Sequence, residues 1–175
     1  MFPVTAEHPI DIAAPTTAAE YASVRELLAE FMDWDAARVA DLGLDADLMR
    51  EFYYDEDALN LPGRYAPPAG FLLLATAEGR AAGCGAFCAS VDQICELKRL
   101  YVRSEYRGRR LGHRLVTMLM EEARRAGYLR MRLETVTFMK SAIAMYEDLG
   151  FQECAPYYQI PVEFRDVTVF MERAL

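Results

Sequence analysis

Hydrophobic positions along the 175-residue chain follow two different periods. In the first third they recur every three or four residues. Tyr21, Val24, Leu27, Leu28 and Phe31 mark one helical stripe within "AAEYASVRELLAEFM". Thr16 or Thr17 stands where an N-cap belongs, and Glu20 falls in the first turn. A second helix is predicted in "DAARVADLGLDADLMREFYY", with Gly43 as an interruption. "NLPGRYAPPAG" holds three prolines and two glycines and predicts a loop without regular structure. Ahead of these elements, residues 1–9 read as a loose tail and "IDIA" as a short first strand.

Beyond the loop the period shortens toward two. "FLLLATA" and "AAGCGAFCAS" flank "EGR" as a hairpin. "QICELKRLYVR" reads as a third hairpin-type strand, and strict alternation puts Glu96 on the face of Lys98 and Leu100. Leu111, Leu115, Met118 and Leu119 then predict a helix over about Arg109 to Ala126, stopped by Gly127. "YLRMRLETV" is a strand, "SAIAMYEDL" a helix ending at Gly150, and "FQECA" and "VTVFMERAL" are the last strands. The order β-α-α-β-β-β-α-β-α-β-β predicts an α/β (α+β) fold: a mixed, mostly antiparallel sheet of six to seven strands with about four helices on its faces. Parallel neighbours joined by a helix open a crevice at the carboxyl ends of strands, where ligands commonly bind. The length predicts one domain over residues 1–175, and no internal repeat is visible.

Composition narrows the function. With 53 % hydrophobic residues the chain can build a core, and no apolar run approaches a membrane span. "MFPVTAEHPI" lacks a basic region followed by an apolar stretch, so no signal peptide is read and a cytoplasmic location is expected. Cys84, Cys88, Cys95 and Cys154 form no C-x-x-C pair, and His8 and His113 are far apart. No metal site is expected, and the cysteines read as reduced, packed thiols.

Charge is uneven. The chain carries −8 overall, yet Lys98–Arg132 holds eleven Lys/Arg against three Asp/Glu, while Met1–Asn60 holds three Arg against fourteen Asp/Glu. The basic block is too short, and the rest too acidic, for nucleic acid. Its centre, "SEYRGRRLGHRL", lies where a strand hands over to a helix. The first turn of a helix presents unpaired N–H groups and a positive dipole end. Gly108 and Gly112 allow close approach, and Arg107, Arg109 and Arg110 supply forked donors. Such a site suits a diphosphate, although a solvated basic helix start has the same composition. It has neither P-loop nor dinucleotide-fingerprint spacing.

"RLYVRSEYRGRRLGHRLV", followed about thirty residues on by "SAIAMYEDLGF", resembles the GNAT superfamily of acyl-CoA-dependent N-acyltransferases. The pyrophosphate motif Q/R-x-x-G-x-G/A matches Arg107, Gly108, Arg109, Arg110, Leu111 and Gly112, with Arg110 where the motif has its first glycine. A-x-x-x-Y-x-x-x-G-F is met by Ala142, Tyr146, Gly150 and Phe151. The resemblance covers roughly residues 71–155. It implies a sheet with splayed central strands and acetyl-CoA as acyl donor, without a metal. The acetyl group would pass to a primary amine of a small molecule or peptide by direct attack in a ternary complex. The expected partners are therefore acetyl-CoA and an amine acceptor, with no nucleic acid or membrane, in a monomer or homodimer. An alternative is a non-catalytic acyl-CoA-binding regulatory module; the intact Tyr146 favours an enzyme.

The same resemblance implies site roles. Pantetheine would lie along Leu100, Tyr101 and Val102, with the Leu100 or Val102 N–H facing the reacting carbonyl oxygen. The diphosphate would meet Arg107 to Gly112, with His113 and Ser141 as further cofactor contacts. Tyr146 would donate to the sulfur. Because a phenol has a pKa of about 10 and a thiol about 8.5, a hydrogen bond to the thiolate is as suitable as full proton transfer. Glu96 is the first candidate base and Glu134 on the neighbouring strand its rival. Trp34, Tyr53, Tyr54, Tyr65 and Glu134 are candidate acceptor contacts, Tyr65 within a loop expected to cover the acceptor.

Overall fold

A computed structural model of the protein describes residues 9–54 and 59–175. Most of the predicted tail, residues 1–8, lies outside the described residues. The elements follow the predicted order: β1 (Ile10–Ala13), α1 (Ala18–Asp41), α2 (Ala46–Tyr53), β2 (Phe71–Ala77), β3 (Arg80–Ala89), β4 (Ile94–Val102), α3 (Leu111–Arg125), β5 (Arg130–Val136), α4 (Lys140–Asp148), β6 (Gln152–Glu153) and β7 (Thr168–Ala174). The strands form one seven-stranded sheet in the order β1-β2-β3-β4-β5-β7-β6. Every neighbouring pair is antiparallel except β4 and β5.

Three boundaries differ from the sequence reading. The first helix does not stop near Met32 but runs 24 residues to Asp41. Nothing between Met32 and Asp35 breaks a helix, so the break falls at Gly43, whose φ is +72°. The proline-rich loop contains one 3-10 turn, Gly63–Tyr65, where proline's fixed φ opens the turn at Pro62. The strand in "FQECA" is reduced to two residues, because β6 pairs β7 only through Gln152 and Glu153.

α1 starts as predicted. Thr17 accepts from the Glu20 N–H at 3.2 Å while Glu20 Oε2 accepts from the Thr17 N–H at 2.9 Å, a reciprocal capping box. Its buried residues Val24, Leu27 and Leu28 pack on Leu72, Leu74, Ala86 and Cys88 of one sheet face. α3 covers the other face, where Leu111, Leu115, Leu119 and Ala123 meet Leu73, Phe87, Leu97 and Met131. Each large aliphatic side chain fully removed from water contributes about 1.5–3 kcal/mol. These two layers therefore hold the sheet rigidly between helices. A third cluster, Ala36, Val39, Met49 and Phe164, joins the distal half of α1 to α2. All four cysteines are free, and Cys84, Cys88 and Cys95 are buried in the packing.

Candidate active site

The sheet opens in its middle. β4 and β5 pair only from Ile94 opposite Arg130 to Glu96 opposite Arg132. Past that point β4 follows β3 as far as Val102, while β5 follows β7 as far as Val136. Each strand is therefore held on its outer side and free on its inner side.

A β-bulge sharpens the opening. Cys84 faces Tyr101 but Ala86 faces Lys98, so β4 carries one extra residue there, and Arg99 takes φ +59°. The extra residue resets the alternation. Leu97 and Leu100 both pack in the core under α3, whereas Tyr101 packs on the α1 side. Leu100 is thus on the opposite face from Glu96 and Lys98, contrary to strict alternation. Beyond the bulge the Arg103 N–H bonds the Ala82 carbonyl at 3.0 Å. By strand alternation Val102 and Leu100 then turn their backbone groups to the open edge. The Val102 carbonyl is there met by Arg107 Nε at 3.0 Å.

Two spaces meet at this opening. The larger is a cleft of about 960 Å³. One wall is Leu100, Tyr101 and Val102; a second is the start of α3 with Gly108, Arg110, Leu111, Gly112 and His113; a third is the start of α4 with Lys140, Ser141 and Ala142. Neither helix carries a side-chain cap, so two positive helix ends converge on one cleft. Gly108 has φ +78° and open space where a Cβ would be. Gly112 serves packing as well: a Cβ there would lie 3.2 Å from Met145 Sδ. Arg110, the residue that departs from the family pattern, is the N-cap of α3 and itself turns left-handed at φ +56°. A linear dianionic ligand fits this cradle. All the sequence-predicted cofactor contacts except Arg109 line the cleft.

The smaller space is a cavity of about 140 Å³ on the other side of the gap. Phe31, Leu100, Phe138 and Met139 line both spaces and form the passage between them. Tyr146, buried against Phe151 with ring centroids 5.8 Å apart, lines the cavity from the α4 side. Burial raises its phenol pKa. From the opposite face come Tyr53, Tyr54, Asp35, Lys98, Arg99 and Glu134. The Tyr54 hydroxyl donates to Asp35 at 2.9 Å, and Tyr53 shares a 3.2 Å bond with Thr168. Burial raises the Asp35 pKa, with the Tyr54 bond opposing it.

The two candidate bases share one ammonium. Lys98 Nζ lies 2.8 Å from Glu134 Oε1 and 2.9 Å from Glu96 Oε1. The Tyr157 hydroxyl also donates to Glu96 Oε1, at 3.0 Å. Burial works against the charged form of Lys98, but its two carboxylates outweigh burial and its pKa is raised. Glu134 differs from Glu96 in two respects. It lines the cavity, and its Oε2 is buried without a hydrogen-bond partner. Burial raises its pKa, with Lys98 opposing.

The residues expected to contact the cofactor, Arg109 apart, meet around the larger cleft, and Tyr53, Tyr54 and Glu134 meet Tyr146 around the smaller cavity. Three candidates sit elsewhere. Trp34 lines the donor cleft, with the Arg107 guanidinium 5.9 Å from its ring centroid, and is absent from the acceptor cavity. Tyr65 is 1 % exposed within the core under α1 and lines neither space. Glu96 stands behind Lys98. Reading the sequence missed Phe31, Phe138, Met139 and Lys98. For Phe138 and Met139 a signal existed: two large apolar residues occupy the short loop between β5 and α4, where polar residues are usual.

The model of the acetyltransferase (GNAT) family matches residues 24–151 of this sequence. An uncharacterised N-acetyltransferase of Schizosaccharomyces pombe is 38 % identical over 110 residues, 62 % of this chain and 68 % of that protein. The uncharacterised Escherichia coli N-acetyltransferase YjgM is 40 % identical over 91 residues, 50 % of this chain but only 54 % of its own length. Among solved structures, a PaiA N-acetyltransferase of Thermoplasma acidophilum in complex with coenzyme A superposes with a TM-score of 0.71 at 20 % identity, covering 95 % of this chain and 99 % of that one. The chain belongs to the acetyltransferase (GNAT) family, and the splayed sheet with its flanking helices is that family's fold. It is an acetyltransferase. Among the described residues there is no cluster of side chains suited to a metal ion, and no helix is long and apolar enough to cross a membrane.

Proposed function

We propose that the protein transfers the acetyl group of acetyl-CoA to a primary amine by direct attack, with both substrates bound at once. The observation that carries this reading is the junction at Leu100, Phe138 and Met139. A cleft sized and charged for the donor there meets a small cavity holding a carboxylate, so thioester and amine can touch at the junction. In this reading the diphosphate rests on Arg107, Gly108 and the start of α3 from Arg110 to His113, and the pantetheine runs along Leu100–Val102. The Leu100 or Val102 N–H faces the carbonyl oxygen as negative charge develops on it.

Glu134, rather than Glu96, takes the proton of the attacking amine, directly or through one water. It is the carboxylate that lines the cavity, and Lys98 fixes its other oxygen. The amine nitrogen bonds to the carbonyl carbon, the carbon–sulfur bond breaks, and the thiolate leaves under a hydrogen bond from Tyr146. Because burial lifts the Tyr146 pKa further above that of a thiol, Tyr146 donates a hydrogen bond and retains its proton.

The test is a thiol-release assay with acetyl-CoA against amino acids, polyamines, aminoglycosides, peptides and simple amines. Amine-dependent CoA release with intersecting initial-rate lines is expected. Parallel lines, the mark of an acetyl-enzyme, would refute direct attack.

A further inference from the structure

The acceptor cavity is small and lined mostly by aromatic and aliphatic side chains, with its charged groups at Asp35, Lys98, Arg99 and Glu134. An engineered apolar cavity of about 150 Å³ takes up a single benzene molecule; this one measures about 140 Å³. Its far wall is Val39, Met49, Phe164 and Val167, with Val39, Met49 and Phe164 each under 5 % exposed in the cluster that joins α1 to α2. That wall belongs to the core and is apolar throughout. On the near side the carboxylate Oε2 of Glu134 is buried with no hydrogen-bond partner. Most buried polar atoms in native proteins are satisfied, and a buried carboxylate oxygen left without a donor is costly. Lys98 cannot supply that donor as placed, because it lies at Oε1 and is shared with Glu96. The missing group is an N–H donor, preferably cationic, arriving from the cavity.

We infer that the acceptor is a compact primary amine with an apolar body about the size of one aromatic ring, its nitrogen on Glu134 Oε2 and its body against Val39, Met49 and Phe164. This inference rests on the transfer reading above and specifies its substrate class. Polyamines and lysyl side chains of peptides fit poorly. Their second charge or peptide backbone would have to lie against the apolar Val39, Met49 and Phe164, because Asp35, the other carboxylate lining the cavity, already accepts from Tyr54.

The experiment compares kcat/KM for benzylamine, phenethylamine and isobutylamine with that for spermidine and an N-terminally blocked lysyl peptide. A preference of at least tenfold for the first group is expected. Val167→Phe, at a partly exposed wall position, should raise the KM for phenethylamine at least fivefold while leaving acetyl-CoA affinity, measured by calorimetry, unchanged. Met49→Ala, which enlarges the cavity, should shift the preference toward longer arylalkylamines. Spermidine or the peptide turning over tenfold better than any compact amine would overturn the size class, while the transfer reading would stand. Indifference of the compact amines to both wall variants, each folded by circular dichroism, would overturn it too. Acetyl-CoA bound by calorimetry with no amine acetylated would instead overturn the transfer reading, and the acceptor class with it.

Discussion

Arg110 concentrates the tension between folding and binding in one residue. It holds a left-handed backbone, φ +56° and ψ 21°, at the N-cap of α3 and lines the donor cleft. That conformation costs a non-glycine residue roughly 1–2 kcal/mol, and strain of this kind gathers at functional sites. Arg110→Gly should relieve the strain, partly offset by the greater unfolded-state freedom of glycine, for a net gain of about 0.5–1 kcal/mol. It should also lose a guanidinium from the cradle, so acetyl-CoA binding should weaken about three- to tenfold. Opposite signs for stability by denaturant melt and affinity by calorimetry are the expected result. Arg110→Ala, which keeps the strain and loses the charge, should leave stability nearly unchanged and weaken only the affinity. Tyr146 yields a second prediction. Tyr146→Phe keeps the ring against Phe151 but removes the hydroxyl. Single-turnover rates should fall about ten- to a thousandfold with acetyl-CoA affinity nearly unchanged, because the bond strengthens only as thiolate charge appears. Equal single-turnover rates would reduce Tyr146 to a core residue.

At the scale of elements, the proposed chemistry depends on a pair of strands that stop pairing. The shared ammonium sits just past the last β4–β5 pair, and that position sets a pH dependence. Glu134 faces Lys98, Arg99 and Glu96 on β4, Asp35 on α1, Tyr53 and Tyr54 at α2, and Tyr157 beyond β6. Its raised pKa places the acid limb of kcat/KM above the usual carboxylate value of about 4.3. Activity is present where Glu134 is ionised and lost as pH falls through that limb. Lys98→Met removes the cation that favours the carboxylate, so the limb should move to higher pH. Glu96→Gln removes a like charge, so it should move to lower pH. Glu134→Gln should abolish the limb and cut kcat/KM by roughly 10²–10⁴ near neutrality. If Glu96→Gln carried that loss and Glu134→Gln did not, the base would be Glu96. Little of this was legible in the sequence. Element order was, because apolar periods and glycine stops are local. Glu96 and Glu134 were recognisable as rivals, but nothing local reveals that one lysine bridges them. The bulge at Arg99 adds one residue and reverses the faces of Leu100 and Tyr101, and no periodicity records where two strands part. Tyr65 and Trp34 were misplaced for a related reason: an aromatic residue reads the same whether it fills a core or walls a cavity.

For the whole molecule, the basic block of the sequence overstates the charge available to a ligand. Arg103 is held by Glu30, Arg125 by Glu122, and Arg130 and Arg132 by Glu172. Arg114 reaches the Ile10 carbonyl. The cations lining the donor cleft are Arg107, Arg110 and Lys140, beside two helix ends, on a chain whose net charge is −8. Donor binding is therefore a local electrostatic event working against a repulsive background. The Debye length falls from about 30 Å at 0.01 M salt to about 3 Å at 1 M. Screening at intermediate salt should first remove the distant repulsion, and high salt should then weaken the contact with the cradle. Acetyl-CoA affinity should thus hold or rise slightly up to about 0.1 M salt and fall at 1 M. A short acetyl thioester lacking the diphosphate, such as acetyl-pantetheine, should show neither change. Thermal shifts provide the readout. At a ligand concentration 100 times Kd the stabilisation is about 2.7 kcal/mol, which for a chain of this size raises Tm by about 5–10 °C. An acetyl-CoA shift of that size at low salt that is the same at 1 M would mean that the ligand is held through its pantetheine and adenine, and the arginine cradle would lose its assignment.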